Sequence, residues 1–205
     1  MAVRFFADGQ DYTNVTLGGG VQTMRSLCCW GKIAVDRNAF STFLGLDDNA
    51  SEDAALQTLA DGTTLSWWES SGAGTVNAGP LTVGTWYFMA VALNGATGTI
   101  YWRALGAGSW STAALSGSDA SITANALRIG ESGVGGEWLN GAVENVKLWL
   151  GAALSQAELD AEYALPSHVF PARTANLAGW YPLLHAGQTT AVTGHDAAGG
   201  EQKAG

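Results

Sequence analysis

The residues in this chain able to do chemistry are nine tryptophans, eighteen carboxylates and three histidines. Their spacing decides which chemistry is open to them. Hydrolysis by a carboxylate pair needs two acids facing each other, about 5–5.5 Å apart when a covalent intermediate forms. Glu69, Glu131, Glu137 and Glu144 stand isolated along the chain and form no such pair. His168, His185 and His195 are far apart and show no metal-ligand spacing. No G-x-S-x-G elbow, P-loop or dinucleotide fingerprint occurs. The Gly-rich runs at Leu17–Gly20 and Gly133–Trp138 read as turns between strands. "LDDNASED" (Leu46–Asp53) reads as a solvated acidic loop. No catalytic residue is assigned.

The tryptophans point elsewhere. A pyranose ring offers a C–H face that stacks on an indole, while amide and carboxylate side chains fix its hydroxyls. Trp67 and Trp68 are adjacent, so on a strand one faces the core and the other faces out. Trp102 and Trp110 flank the "RALGAGS" turn, and Trp138 lies in the loop before the strand that begins at Gly141. Trp68, Trp102, Trp110 and Trp138 are the candidate ligand-binding residues. Trp149 is expected opposite the core face of its strand.

These side chains need a scaffold of strands. Short runs rich in β-branched and aromatic residues recur between Gly, Asn, Asp and Ser clusters. They are Val3–Phe6, Ser26–Val35, Phe40–Leu46, Ala55–Leu59, Thr64–Glu69, Trp86–Leu93, Gly98–Leu105, Ala126–Gly130 and Gly141–Leu150. Asn94-Gly95 is a tight-turn signal and predicts a hairpin between two of them. In "AVENVKLWL" the residues Val146, Leu148 and Leu150 share one face, and Asn145, Lys147 and Trp149 share the other. The period then changes. Ser155 is placed to cap a helix, Glu158 to reach back to it, and Leu154 and Leu159 to form a hydrophobic staple. Pro166 limits that helix. Regularly spaced strands without intervening helices predict an all-β fold of two antiparallel sheets packed face to face, in one domain over residues 1–205.

Of the 205 residues, 47% are hydrophobic but only 13% are charged, and the net charge is −9. Nine scattered basic residues argue against nucleic acid, which needs Lys and Arg clusters. The longest apolar run, Trp86–Leu93, is far short of the ~20 residues of a membrane helix, so no membrane insertion is expected. "MAVRFFADGQDY" shows no export signal. Cys28 and Cys29 are adjacent and read as plain thiols near a core, as in a chain folded in a reducing compartment.

Several segments together carry a resemblance. "LRIGESGVGGEWLNGAVENVKLWLGAALSQAELDAEY" resembles the C-terminal half of laminin G-like, concanavalin A-like jelly rolls. The matching residues are Leu127-Arg128-Ile129-Gly130, Leu139-Asn140-Gly141 and Leu154-Ser155-Gln156-Ala157-Glu158-Leu159. "GTWYFMAVALNGATGTIYW", "AVRFFADGQDY" and "LAGWYPL" are similar to its central hairpin, its opening and a late strand. The family's acidic pair is here Glu144-Asn145. The resemblance implies a jelly-roll sandwich with one short helix near the C-terminus, and it puts Trp30, Trp86 and Trp180 at core positions where they pack. It also implies a structural calcium held near the termini, for which Asp8, Asp11 and Asp196 are the candidates. Glycosidases of this fold share an E-x-D-x-x-E strand that is missing here, so the chain is expected not to be an enzyme. One expectation is a phage virion protein, a capsid decoration, fibre or tail component that binds host-surface glycans, sits on the virion surface and contacts capsid or tail proteins. The other is an extracellular carbohydrate-binding module of a bacterial polysaccharide-degrading or adhesion system. A glycosidase or lyase ranks behind both. Homo-oligomerisation fits the first expectation.

Overall fold

Alternation of apolar and polar residues gives the chain strands, and the second apolar face of one sheet gives it a helix to bury. The computed structural model describes residues 4–6, 13–17, 22–47, 52–70, 75–117, 122–132, 137–165 and 170–183. The strands are β1 (Arg4–Phe6), β2 (Thr13–Thr16), β3 (Gln22–Ile33), β4 (Ser41–Asp47), β5 (Glu52–Thr58), β6 (Thr64–Glu69) and β7 (Val76–Pro80). They continue as β8 (Tyr87–Asn94), β9 (Thr97–Ala104), β10 (Ser111–Ser116), β11 (Thr123–Ala124), β12 (Ala126–Ile129), β13 (Gly141–Leu150) and β14 (Leu177–Tyr181). One helix, α1 (Gln156–Ala164), lies between β13 and β14.

The first sheet runs β1-β13-β3-β8-β9-β10, with β14 beside β13 and β11 beside β3. The second runs β2-β12-β4-β5-β6-β7. Pairing among the described strands is antiparallel. This is the jelly-roll sandwich the sequence implies. Its main core fills the space between the sheets with Phe43, Leu44, Leu46, Leu56, Trp67, Val91, Ile100, Leu127, Val146 and Leu148 among others. The nine sequence runs all become strands, with ends shifted by a few residues. Strands β2, β7, β10, β11 and β14 were not among them, β14 being implied only by the resemblance. "VNAGP" and "STAALS" are short, small-residue edges that gain their conformation by pairing with β6 and β9.

The β8–β9 hairpin forms as expected. Asn94 pairs with Thr97, and Gly95 takes φ 66° in the turn. The helix start is also as expected. The Ser155 N–H donates to Glu158 Oε2 at 2.7 Å, and the Glu158 N–H donates to Ser155 Oγ at 3.4 Å. The Ser155 N–H, with the Ser155 hydroxyl and the Arg173 guanidinium, holds the Glu158 carboxyl below its usual range.

One expectation needs correcting. Trp149 does face away from the main core, yet it is fully buried, as are Glu144 and Lys147 on the same side. A second apolar cluster on that outer face, made of Cys28, Trp30, Phe88, Trp149, Leu154 and Leu159, lies under α1. Asn145, at φ 53°, opens a bulge in β13 and accepts the Trp180 indole N–H through Oδ1 at 2.8 Å. Beneath α1, Lys147 Nζ meets Glu162 Oε2 at 2.5 Å, with both side chains wholly enclosed. Glu162 Oε1 accepts the Arg173 backbone N–H at 3.0 Å. A short helix with a weakly apolar face is held there by a buried ion pair.

Candidate functional site

The first sheet is covered by α1, so the outer face of the second sheet is the other broad face on which side chains can be presented. Its strands set a fixed row: Arg128 on β12 is opposite Gly45 on β4, Gly45 opposite Ala55 on β5, and Ala55 opposite Trp68 on β6. Since Leu44, Leu56 and Trp67 point into the core, this row points out. Neighbouring strands sit about 4.8 Å apart, so the row spans roughly 14 Å from guanidinium to indole, over a floor of two small residues. The next row runs Thr42, Gln57, Ser66, Asn77.

Arg128 is the hub of the polar end. Its Nε donates to Asp47 Oδ2 at 2.9 Å, its Nη2 lies 2.8 Å from the same oxygen, and its Nη1 lies 3.8 Å from Glu131 Oε2. Ser132 Oγ donates to Glu52 Oε2 at 3.1 Å. The Trp138 indole N–H donates to Glu131 Oε1 at 3.0 Å, and Arg37 Nη1 donates to the Trp138 carbonyl at 2.7 Å. Residues 131–132 therefore fold over the middle of β4, and Gly45 permits it. A Cβ there would sit 2.8 Å from Glu52 Oε1 and 3.2 Å from the Glu131 carbonyl oxygen. The chain returns beside β4, where the Thr42 N–H donates to the Glu137 carbonyl at 3.2 Å. Leu139 then turns into the core, leaving Trp138 on the other side. Glu137 is half-buried, and burial raises its carboxyl above the usual range, partly offset by a hydrogen bond with Ser132.

The four candidate tryptophans do not gather at one place. Trp68 and Trp138 are both half-buried and belong to this outer face. Trp102 packs against the main core and comes 3.0 Å from where a Cβ on Gly79 would lie, so it bridges β9 to β7 at the sandwich edge. Trp110 joins the cluster under α1, where it lies edge-on to Phe88, Tyr101 and Tyr163 and donates to Asp160 Oδ1 at 2.7 Å. Among the rest, Trp67 is in the main core, and Trp30, Trp86 and Trp149 belong to the second cluster. Trp180 packs edge-on against Phe170. Trp68, Trp138 and Trp180 pack into neither apolar cluster, and of these only Trp68 and Trp138 belong to the second sheet's outer face.

In the fold, several of the carboxylates have polar partners that the sequence does not reveal. Glu131 is tied to Arg128 and Trp138, and Glu69 accepts the Trp67 indole N–H at 2.7 Å. "LDDNASED" is also not wholly a solvated loop. Asp47 ends β4, Glu52 opens β5, the two are in register, and both are buried. The signal that could have located them is the return of strand patterning on both sides of that acidic run. Asp8, Asp11, Asp196, His168, His185 and His195 lie outside the described residues. Among the described residues, no three His, Cys, Asp or Glu side chains gather in a way that could hold a metal ion. No described helix is long and apolar enough to cross a membrane.

A family model described as the concanavalin A-like lectin/glucanases superfamily matches residues 4–160. No curated protein matches the chain. Among solved structures, the full-length tailspike protein 2 of an Escherichia coli O157:H7 bacteriophage superposes with a TM-score of 0.64 at 12% identity. That match covers 88% of this chain and 26% of the tailspike, so this chain spans about a quarter of the tailspike's length. The heptameric SAP-like pentraxin of Limulus polyphemus gives 0.57 at 14% identity, over 84% of this chain and 83% of the pentraxin. The LG1-3 region of the laminin α2 chain gives 0.50 at 18% identity, over 68% of this chain and 30% of that region.

Proposed function

The chain belongs to the concanavalin A-like lectin/glucanases superfamily, and from that premise we propose that it is a non-catalytic glycan-recognition protein displayed on a phage particle. One observation carries the reading. Of the three tryptophans that pack into neither core, Trp68 and Trp138 stand on the same outer sheet face, on either side of a floor of small and polar residues, while Trp180 lies on β14 in the first sheet against Phe170. A sugar ring would stack on the Trp68 or Trp138 indole while Asn77 and Glu137 fix its hydroxyls. The charged groups support binding over hydrolysis. Asp47 and Glu131 are engaged with Arg128, and Glu52 with Ser132. The host cell surface is the proposed source of the glycan, and capsid or tail proteins are the proposed neighbours on the particle. Strand β10 exposes Ser111, Thr112, Ala114 and Ser116 along an edge without charge, which suits symmetric self-association.

The test is retention on a glycan array by the wild type and by Trp68→Ala and Trp138→Ala. Loss of retention is expected in both variants, with a melting temperature close to the wild type for Trp68→Ala. Retention unchanged in both, or turnover of any arrayed polysaccharide, refutes the proposal. The virion role is read separately, by whether the protein purifies with particles from an infected culture.

A further inference from the structure

We propose that the Trp68–Trp138 face selects uncharged and amine-bearing saccharides and rejects acidic ones, which deepens the glycan reading above and rests on it.

Two independent observations carry this. The first is charge. Four carboxylates surround the face, those of Asp47, Glu52, Glu131 and Glu137, against two guanidiniums, Arg37 and Arg128. Both guanidiniums are already engaged. Arg128 faces Asp47 and Glu131, and Arg37 donates to the Trp138 carbonyl. Sialic acids and uronates are usually gripped by a free guanidinium, as a planar fork matched to the carboxylate. Here that fork is taken, and the surplus charge is negative. Asp47, Glu52 and Glu131 are buried, so water screens their field poorly toward a ligand on the rim.

The second observation is unfilled hydrogen-bonding capacity. Thr42 Oγ1 and Gln57 Oε1 are buried and have no hydrogen-bond partner, and Glu131 Oε2 has no hydrogen bond beyond its ion pair with Arg128 at 3.8 Å. Their residues are at most 8% exposed. Thr42 and Gln57 are in register on the outward face, and Glu131 folds over Gly45 beside them. All three atoms can accept, though the Thr42 hydroxyl can also donate, and buried acceptors are stabilised by a donor. A ligand that satisfies this face brings O–H or N–H⁺ groups. An acidic sugar brings more acceptors and more negative charge.

The probes are a neutral gluco-oligosaccharide, a fully deacetylated glucosamine oligosaccharide of the same length, and a galacturonate oligosaccharide. Binding of each to the full chain is measured by calorimetry at low and high salt. The neutral probe is expected to bind with little salt dependence. The glucosamine probe binds more tightly at low salt and converges on the neutral one at high salt. The galacturonate probe binds at least about tenfold more weakly than the neutral one, a factor that corresponds to about 1.4 kcal/mol. Glu137→Gln narrows the gap between the glucosamine and neutral probes. Galacturonate binding as tight as neutral binding, or an unchanged gap in Glu137→Gln, overturns the inference and leaves the glycan reading standing. Absence of binding by all three, together with an empty glycan array, removes the reading itself.

Discussion

The ion pair beneath α1 allows the sharpest quantitative test of how this sandwich is held together. Lys147 Nζ and Glu162 Oε2 are 2.5 Å apart, and neither side chain is exposed. Removing one partner leaves the other charge enclosed without compensation, which costs about 3–5 kcal/mol. Glu162 also accepts the Arg173 N–H, so Glu162→Gln is the milder truncation, because one amide oxygen remains to receive that bond. Lys147→Met replaces the ammonium with a side chain of similar length. For a chain of this size each kcal/mol moves the melting temperature by about 2–4 °C, so either single change should lower it by roughly 6–20 °C. The double variant Lys147→Met/Glu162→Gln removes both charges at once. It should recover most of the loss, because neutral groups of similar volume in such a site are often no less stable than the ions. Chemical denaturation of all four proteins gives the coupling energy directly. A coupling of more than about 2 kcal/mol is expected. Single variants that each cost under about 1 kcal/mol, or a double variant equal to their sum, would show that the pair does not pin the helix.

Alkaline pH should destabilise the protein. Burial pushes the Cys28 thiol and the Tyr181 phenol up to about 12, and pushes Cys29 well above its ordinary 9.0. The unfolded chain releases these protons first, near pH 9 to 10, so the stability they confer is intact below pH 9 and is lost as pH rises through 12. Denaturation midpoints measured from pH 8 upward should fall steadily, and a flat profile would refute the burial argument. A structural calcium at Asp8, Asp11 and Asp196, carried over from the family, predicts that chelation lowers the melting temperature and that added Ca²⁺ restores it. Binding at 100 times its dissociation constant is worth about 2.7 kcal/mol, so the shift is measurable, and its absence would end that idea.

The layers were legible in the sequence because their causes are local. Alternation in "AVENVKLWL", the Asn94-Gly95 turn and the Ser155–Glu158 cap each depend on neighbours within a few residues. The site was only half legible. Trp68 follows from adjacency to a core Trp67, and Trp138 from its place before β13. The Arg128 cluster depends on β12 lying beside β4, two strands separated by about eighty residues of chain, with Gly45 admitting the loop that follows β12. No sequence pattern encodes that approach. The same holds for Trp149. Its alternation was read correctly, but what covers it is a helix folded back against its own strand.

That difference bears on function in this fold. The residues that build the sandwich are specified by short-range periodicity, so widely divergent sequences reach it, as the solved structures at 12–18% identity show. The residues that give the outer face its chemistry are set by long-range register. A change of one residue in the pairing of β12 with β4 would turn Arg128 into the core and Ile129 out. Such a shift would keep both sheets and lose the charge cluster. Ligand preference in such a sandwich is therefore better predicted from which small residue lies under which loop than from overall likeness. On that basis Gly45, which carries no functional group, is the position on which the polar half of this face depends.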